Sequence, residues 1–142
     1  MTPAAFCGLF DTWKAGFPDS LYKSYLFGRD GAYTTPKVDG KQYVLRHVHL
    51  LPVMDPDALA EWNKRYKLGT EKGKWKERVS NRALIYATRV LYDSTQEHLL
   101  MYILDEPDAH RIARMKSQGD RVFMEQFATC AAAFIHNGEV IF

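Results

Sequence analysis

Phe6, Leu9, Phe10 and Trp13 fall at helical spacing and predict a short helix over residues 3–15, which Gly16, Pro18 and Asp19 break. Leu21, Tyr22 and Tyr25 point to a second short helix. The stretch from Gly28 to Gly40 is rich in turn formers and ends in Asp39-Gly40, a hairpin or loop signal. Residues 42–51 then read as a strand. On it Val44, Val48 and Leu50 share one face, and Leu45, His47 and His49 share the other.

Asp55-Pro56 reads as an N-cap and first-turn proline of a helix lined by Leu59, Trp62 and Tyr66. Residues 67–81 are polar and basic with two glycines, and read as a mobile basic loop. Ala83–Tyr92 is a strongly apolar strand, residues 93–97 turn the chain, and His98–Leu104 runs back as its antiparallel partner. Pro107 opens a helix with Ala109, Ile112 and Ala113 on its apolar side, which Gly119-Asp120 interrupts and recaps. A last helix over 121–136 aligns Phe123, Phe127, Ala131 and Phe134, and Asn137-Gly138 stops it. The sum is one α+β domain over residues 1–142, a small antiparallel sheet packed by helices.

Composition narrows the class. With 46% apolar residues, a 142-residue chain can bury a core of its own. No apolar run approaches the ~20 residues of a membrane-spanning helix. The N-terminus lacks a basic start and meets Asp11 early, so it makes a poor signal peptide. Cys7 and Cys130 have no metal-ligand spacing and read as reduced packing residues. These features predict a cytoplasmic protein. Net charge is only +2, but residues 64–82 carry eight cations against Glu71 and Glu77, a net +6. So local an asymmetry suggests a polyanion contact.

Three separated pieces resemble the YafO family of toxins: Phe27-Gly28-Arg29-Asp30 followed by Tyr33; His47-Val48-His49-Leu50; and Leu100, Ile103 and Leu104 followed by Pro107, His110, Ala113 and Arg114. Leu84-Ile85-Tyr86 lies where the family also has an apolar strand with a tyrosine. The resemblance spans about residues 27–115. Segment 64–82 is longer and more basic than the family pattern, and both ends match only in general character. The resemblance implies a RelE-like fold, N-terminal helices against a curved antiparallel sheet. It implies a toxin of a type II toxin–antitoxin pair that cleaves messenger RNA on the ribosome, at the large subunit or A site, and is neutralised by a cognate antitoxin.

Cleaving RNA without a metal or cofactor uses the 2′-hydroxyl as nucleophile and needs a base, an acid and cations for the phosphorane. Histidine suits the proton transfers and arginine the phosphate. His47 and His49, two apart on a strand, project from one face about 6–7 Å apart and could bracket a phosphate; they could equally be half-buried and bonded to neighbours. A zinc site would need a Cys, Asp or Glu cluster that the chain does not offer them. His110 and Arg114 are neighbours one helical turn apart, with Arg111 pointing farther out. Together His47, His49, His110 and Arg114 are the catalytic candidates.

Arg29 could hold a phosphate and Tyr33 could stack on an unpaired base, while Asp30 fits a structural turn better than catalysis. Lys72, Lys74, Trp75, Lys76, Arg78, Arg82 and Arg111 are the remaining RNA-binding candidates. Tyr86 and Tyr92 share a face that is either RNA-facing or core. Two other readings compete with the nuclease: a non-catalytic RNA- or ribosome-binding inhibitor of the same fold, and a protein-binding regulator. The +6 segment weighs against the regulator.

Overall fold

The computed structural model describes residues 1–20, 23–42 and 44–141. Leu21 and Tyr22 of the second predicted helix, and Tyr43 of the predicted strand, lie outside the described residues. Among the described residues four strands, β1 (Phe27–Ala32), β2 (Arg46–Leu50), β3 (Ala83–Val90) and β4 (Gln96–Leu104), form one antiparallel sheet in chain order. Helix α1 (Pro3–Ala15) precedes it, α2 (Pro56–Lys72) joins β2 to β3, and α3 (Ala109–Ala113) and α4 (Gln118–Asn137) follow. The α+β architecture with N- and C-terminal helices is as the sequence predicts.

Period-two alternation divides the sheet into two faces. Val48, Leu50, Leu84 and Tyr86 meet Phe10, Trp13 and Phe27 on one, beneath α1. Leu45, Ala83, Ile85 and Ala87 meet Met124, Ala128, Ala131 and Phe134 of α4 on the other. Each large apolar side chain so buried contributes about 1.5–3 kcal/mol. In β4 the alternation breaks: the register shifts between Ile85 and Tyr86, with Tyr86 opposite Leu100 but Ile85 opposite Tyr102. Met101 is the extra residue of a bulge. It lets Leu100 and Ile103 both pack toward α1, while Leu99 and Leu104 pack toward α4.

Several local expectations change. The turn-rich reading of Gly28–Gly40 misses β1, although Asp39-Gly40 does form a tight turn, both residues at positive φ, beneath a Val38–Lys41 bridge. Gly28 is there for space: a Cβ would lie 2.2 Å from the Arg78 carbonyl oxygen and 2.7 Å from the Trp62 ring. Val44 packs with Leu45 in the α4-side core rather than with Val48, because the regular strand begins only at Arg46.

The predicted loop 67–81 is helical as far as Lys72; α2 runs on until Gly73 caps it in the left-handed region. Gly69 is buried within it, since a Cβ there would meet the Trp75 ring at 2.1 Å. Gly119-Asp120 does not interrupt a helix. Ser117 is the N-cap of α4, its hydroxyl accepting from the Asp120 N–H, so both residues lie in the first turn.

Candidate active site

On β2, strand alternation aims His47 and His49 at the face that α4 covers over β3 and β4. Helix α3 brings His110 to the same place. The rings form a row, His47 to His49 at 5.6 Å and His49 to His110 at 5.7 Å between centroids, each pair nearly edge to face. Tyr33 stacks on His47 at 4.1 Å and 13°. Among the described residues no group of three or more His, Cys, Asp or Glu is arranged to hold a metal ion.

The three histidines differ in environment. Burial pushes the His47 pKa down to about 4; the neighbouring His49, Arg29 and Arg46 lower it further, and Asp30 opposes. Its Nδ1 is buried without a hydrogen-bond partner among the described residues. His49 is also buried, and burial lowers its pKa against the backbone contact from Ser80; His110 and Arg29 lower it further, and Glu77 opposes. Its Nδ1 lies 2.8 Å from the Ser80 carbonyl oxygen and 3.1 Å from the Ser80 nitrogen. Neutral imidazole can therefore donate to the one or accept from the other, according to tautomer. His110 is exposed on α3, its backbone N–H donating to Asn81 Oδ1 at 2.8 Å.

Both depressed pKa values make folding pH-dependent. The unfolded chain takes up these protons near pH 6.5 and the folded chain only at lower pH, to about 4 for His47. The stability is therefore fully present above pH 6.5 and is lost as the pH falls toward 4, by up to about 1.4 kcal/mol per pH unit for each proton. Urea unfolding at pH 7, 6 and 5 should show this slope, and His47→Gln should flatten it.

The other candidates separate into exposed and engaged groups. Arg114 ends α3 exposed, one turn after His110. Arg29 is exposed and meets Glu77 at 3.5 Å. Lys72, Lys74 and Lys76 are exposed. Tyr33 is half-buried with one ring face taken by His47. Trp75 is spent on packing over Gly69 and against Tyr66 at 5.9 Å between centroids. Arg82 bonds Asp105 at 3.2 Å and the Leu51 carbonyl at 3.3 Å. Arg111 pairs with Asp120 at 3.0 Å and Asp108 at 3.5 Å.

Arg78 does not fit the RNA-binding expectation. Its side chain is buried between Trp62 and Tyr66, 4.9 and 5.1 Å from the ring centroids, and donates to the carbonyls of Ser24, Tyr25 and Phe27. It works as an internal clamp between α2 and the chain entering β1. Tyr86 and Tyr92 do not share a role either: Tyr86 is core, and Tyr92 lies beyond β3, fully exposed.

Among the described residues Asp30 bonds no local backbone turn. Its carboxylate accepts from Lys14, Arg46 and Tyr86, on the opposite face from the histidines. Sequence reading missed Ser80 and Asn81, which touch the histidines; as polar residues in a basic segment they carry no periodic signal.

No curated protein and no solved structure matches this chain. A family model described as Toxin YafO, type II toxin–antitoxin system, matches residues 11–136. That match runs from α1 to the last turn of α4 and takes in all four strands and all three histidines of the row, so this chain belongs to the YafO toxin family of type II toxin–antitoxin systems.

Proposed function

We propose that this toxin is a ribosome-dependent endoribonuclease that cleaves messenger RNA and so stops translation. Membership of a type II family implies a cognate antitoxin as its partner. The observation that carries the nuclease reading is the His49–His110 pair, 5.7 Å apart between ring centroids, with the exposed Arg114 one turn along α3 and Arg29 close enough to act on the His49 charge.

In this reading His49 is the base. With Nδ1–H donated to the Ser80 carbonyl, the shorter of its two contacts, Nε2 keeps a free lone pair for the 2′-hydroxyl proton. Burial keeps the ring neutral and ready to accept at cellular pH. The 2′-oxygen attacks the adjacent phosphorus, Arg29 and Arg114 hold the non-bridging oxygens, and His110 gives a proton to the leaving 5′-oxygen. No metal enters the scheme. His47, kept neutral by burial beneath Tyr33, shapes the site without taking up a second proton. Lys72, Lys74 and Lys76 would meet ribosomal RNA, making docking salt-sensitive.

A non-catalytic translation blocker of the same fold is the second reading, favoured by the buried His49 and the half-buried His47. One experiment separates them: inducible expression of wild type and His110→Ala, with growth followed and messenger-RNA 5′ ends mapped. New in-frame 5′ ends, lost in a variant that still folds, are expected. Equal growth arrest in both, with no new 5′ ends, would leave the blocker.

A further inference from the structure

The two histidines of the proposed acid–base pair sit on different elements, β2 and a five-residue helix. Core burial of Ala109, packing of Ile112 and the Arg111–Asp120 ion pair hold the helix against α4, and its N-terminus is held separately. The N-cap of α3, Asp108, makes no side-chain capping bond among the described residues, so the first-turn N–H groups depend on acceptors outside the helix. Asn81 supplies one from outside the helix. Its Oδ1 accepts from the His110 N–H at 2.8 Å, and its Nδ2 donates to the Pro107 carbonyl. One amide thus grips the start of α3 at two points.

The preceding residue holds the other ring. The Ser80 carbonyl and N–H lie 2.8 and 3.1 Å from His49 Nδ1, and the Ser80 hydroxyl is tied to the Leu50 carbonyl at 2.5 Å. Two consecutive residues, through backbone and side chain, therefore reach both members of the pair.

We infer that the Ser80-Asn81 step sets the distance between His49 and His110, and that Asn81 is a positioning residue of the site. The inference rests on the nuclease reading for its consequence in catalysis, but not for its geometry. Removing the Asn81 amide frees the His110 N–H and lets α3 shift, and a displacement near 1 Å costs about 100-fold in rate.

The test uses the full-length chain, isotope-labelled, with two readouts. The first is structural. Asn81→Ala should speed hydrogen exchange at the His110 amide about tenfold or more, because its acceptor is gone. Asn81→Asp keeps an acceptor oxygen for the His110 N–H but sets a carboxylate oxygen against the Pro107 carbonyl in place of the donor, so its exchange should lie between wild type and Asn81→Ala. The His49 ring, faced by His47, His110, Arg29, Glu77 and the Ser80 backbone, should titrate at higher pH in His110→Ala, and Asn81→Ala should move it the same way.

The second readout is cleavage on programmed ribosomes. Here Asn81→Ala should lower kcat about 10–100-fold with KM within about twofold, and Asn81→Asp should recover part of the loss. Wild-type exchange and titration in Asn81→Ala would overturn the inference. Should that variant not fold, a His49 titration unchanged in His110→Ala would overturn it instead. Exchange and titration as expected, with no cleavage by wild type, would uphold the positioning role and overturn the nuclease reading.

Discussion

Alanine at His49 is expected to lower messenger-RNA cleavage on the ribosome by about 10²–10⁴-fold, the usual worth of a general base. Alanine at His47, two residues away on the same strand face, should cost less than about tenfold at neutral pH. The rings sit 5.6 Å apart between centroids, so proximity does not separate them. Environment does. His47 is held near a pKa of about 4, beneath Tyr33, with a buried Nδ1 that no group among the described residues satisfies. It has nowhere to place a second proton at neutral pH. His49 has the Ser80 carbonyl at 2.8 Å to stabilise the imidazolium it becomes. Single-turnover cleavage of a defined messenger on programmed ribosomes checks both variants. The pH profile of the His47 variant should keep the acid limb of wild type, and that limb should vanish with His49. Equal losses at the two positions would refute the division of labour.

Replacing Asp30 with alanine should destabilise the fold by about 3–5 kcal/mol, the cost of removing one partner of a buried ion pair. The Asp30 side chain is 3% exposed and lies between Lys14 at 2.8 Å and Arg46 at 3.2 Å, with the Tyr86 hydroxyl donating to it as well. Lys14 is itself nearly buried, its ammonium 4.5 Å from the centre of the Phe17 ring and 5.2 Å from that of Tyr86; burial pulls its pKa down and Asp30 opposes this. Without the carboxylate two cations remain among aromatic rings. A loss of this size is comparable with the whole stability of many domains of this length. Denaturant unfolding of wild type, Asp30→Ala and Asp30→Asn measures it; the Asn variant, which keeps shape and one acceptor, should lose less. A change under about 1 kcal/mol for Asp30→Ala would mean that the network is solvated in solution.

The sequence by itself determined the elements that local chemistry decides. Helix α1 follows from the spacing of Phe6, Phe10 and Trp13, the start of α2 from Asp55-Pro56, the β3–β4 hairpin from two apolar runs around a polar turn, and the end of α4 from Gly138. The family was legible too, because its three short pieces keep their order along the chain, and the family match over residues 11–136 agrees.

What only the tertiary structure decided are matters of long-range contact. Strand β1 read as turn because Gly28 and Gly31 have no β propensity; Gly28 is required by Trp62 and the Arg78 carbonyl, both distant in sequence. Arg78 looked like one more cation of a basic run, yet it is clamped by carbonyls about fifty residues earlier and by two rings of α2. Asp30 looked like a turn former, and its partners lie on α1, β2 and β3. The row of histidines depends on α3 folding back beside β2, held by Ser80 and Asn81. Residue type and spacing report what a side chain can do locally. Which groups it loses water to meet is fixed only when distant segments pack.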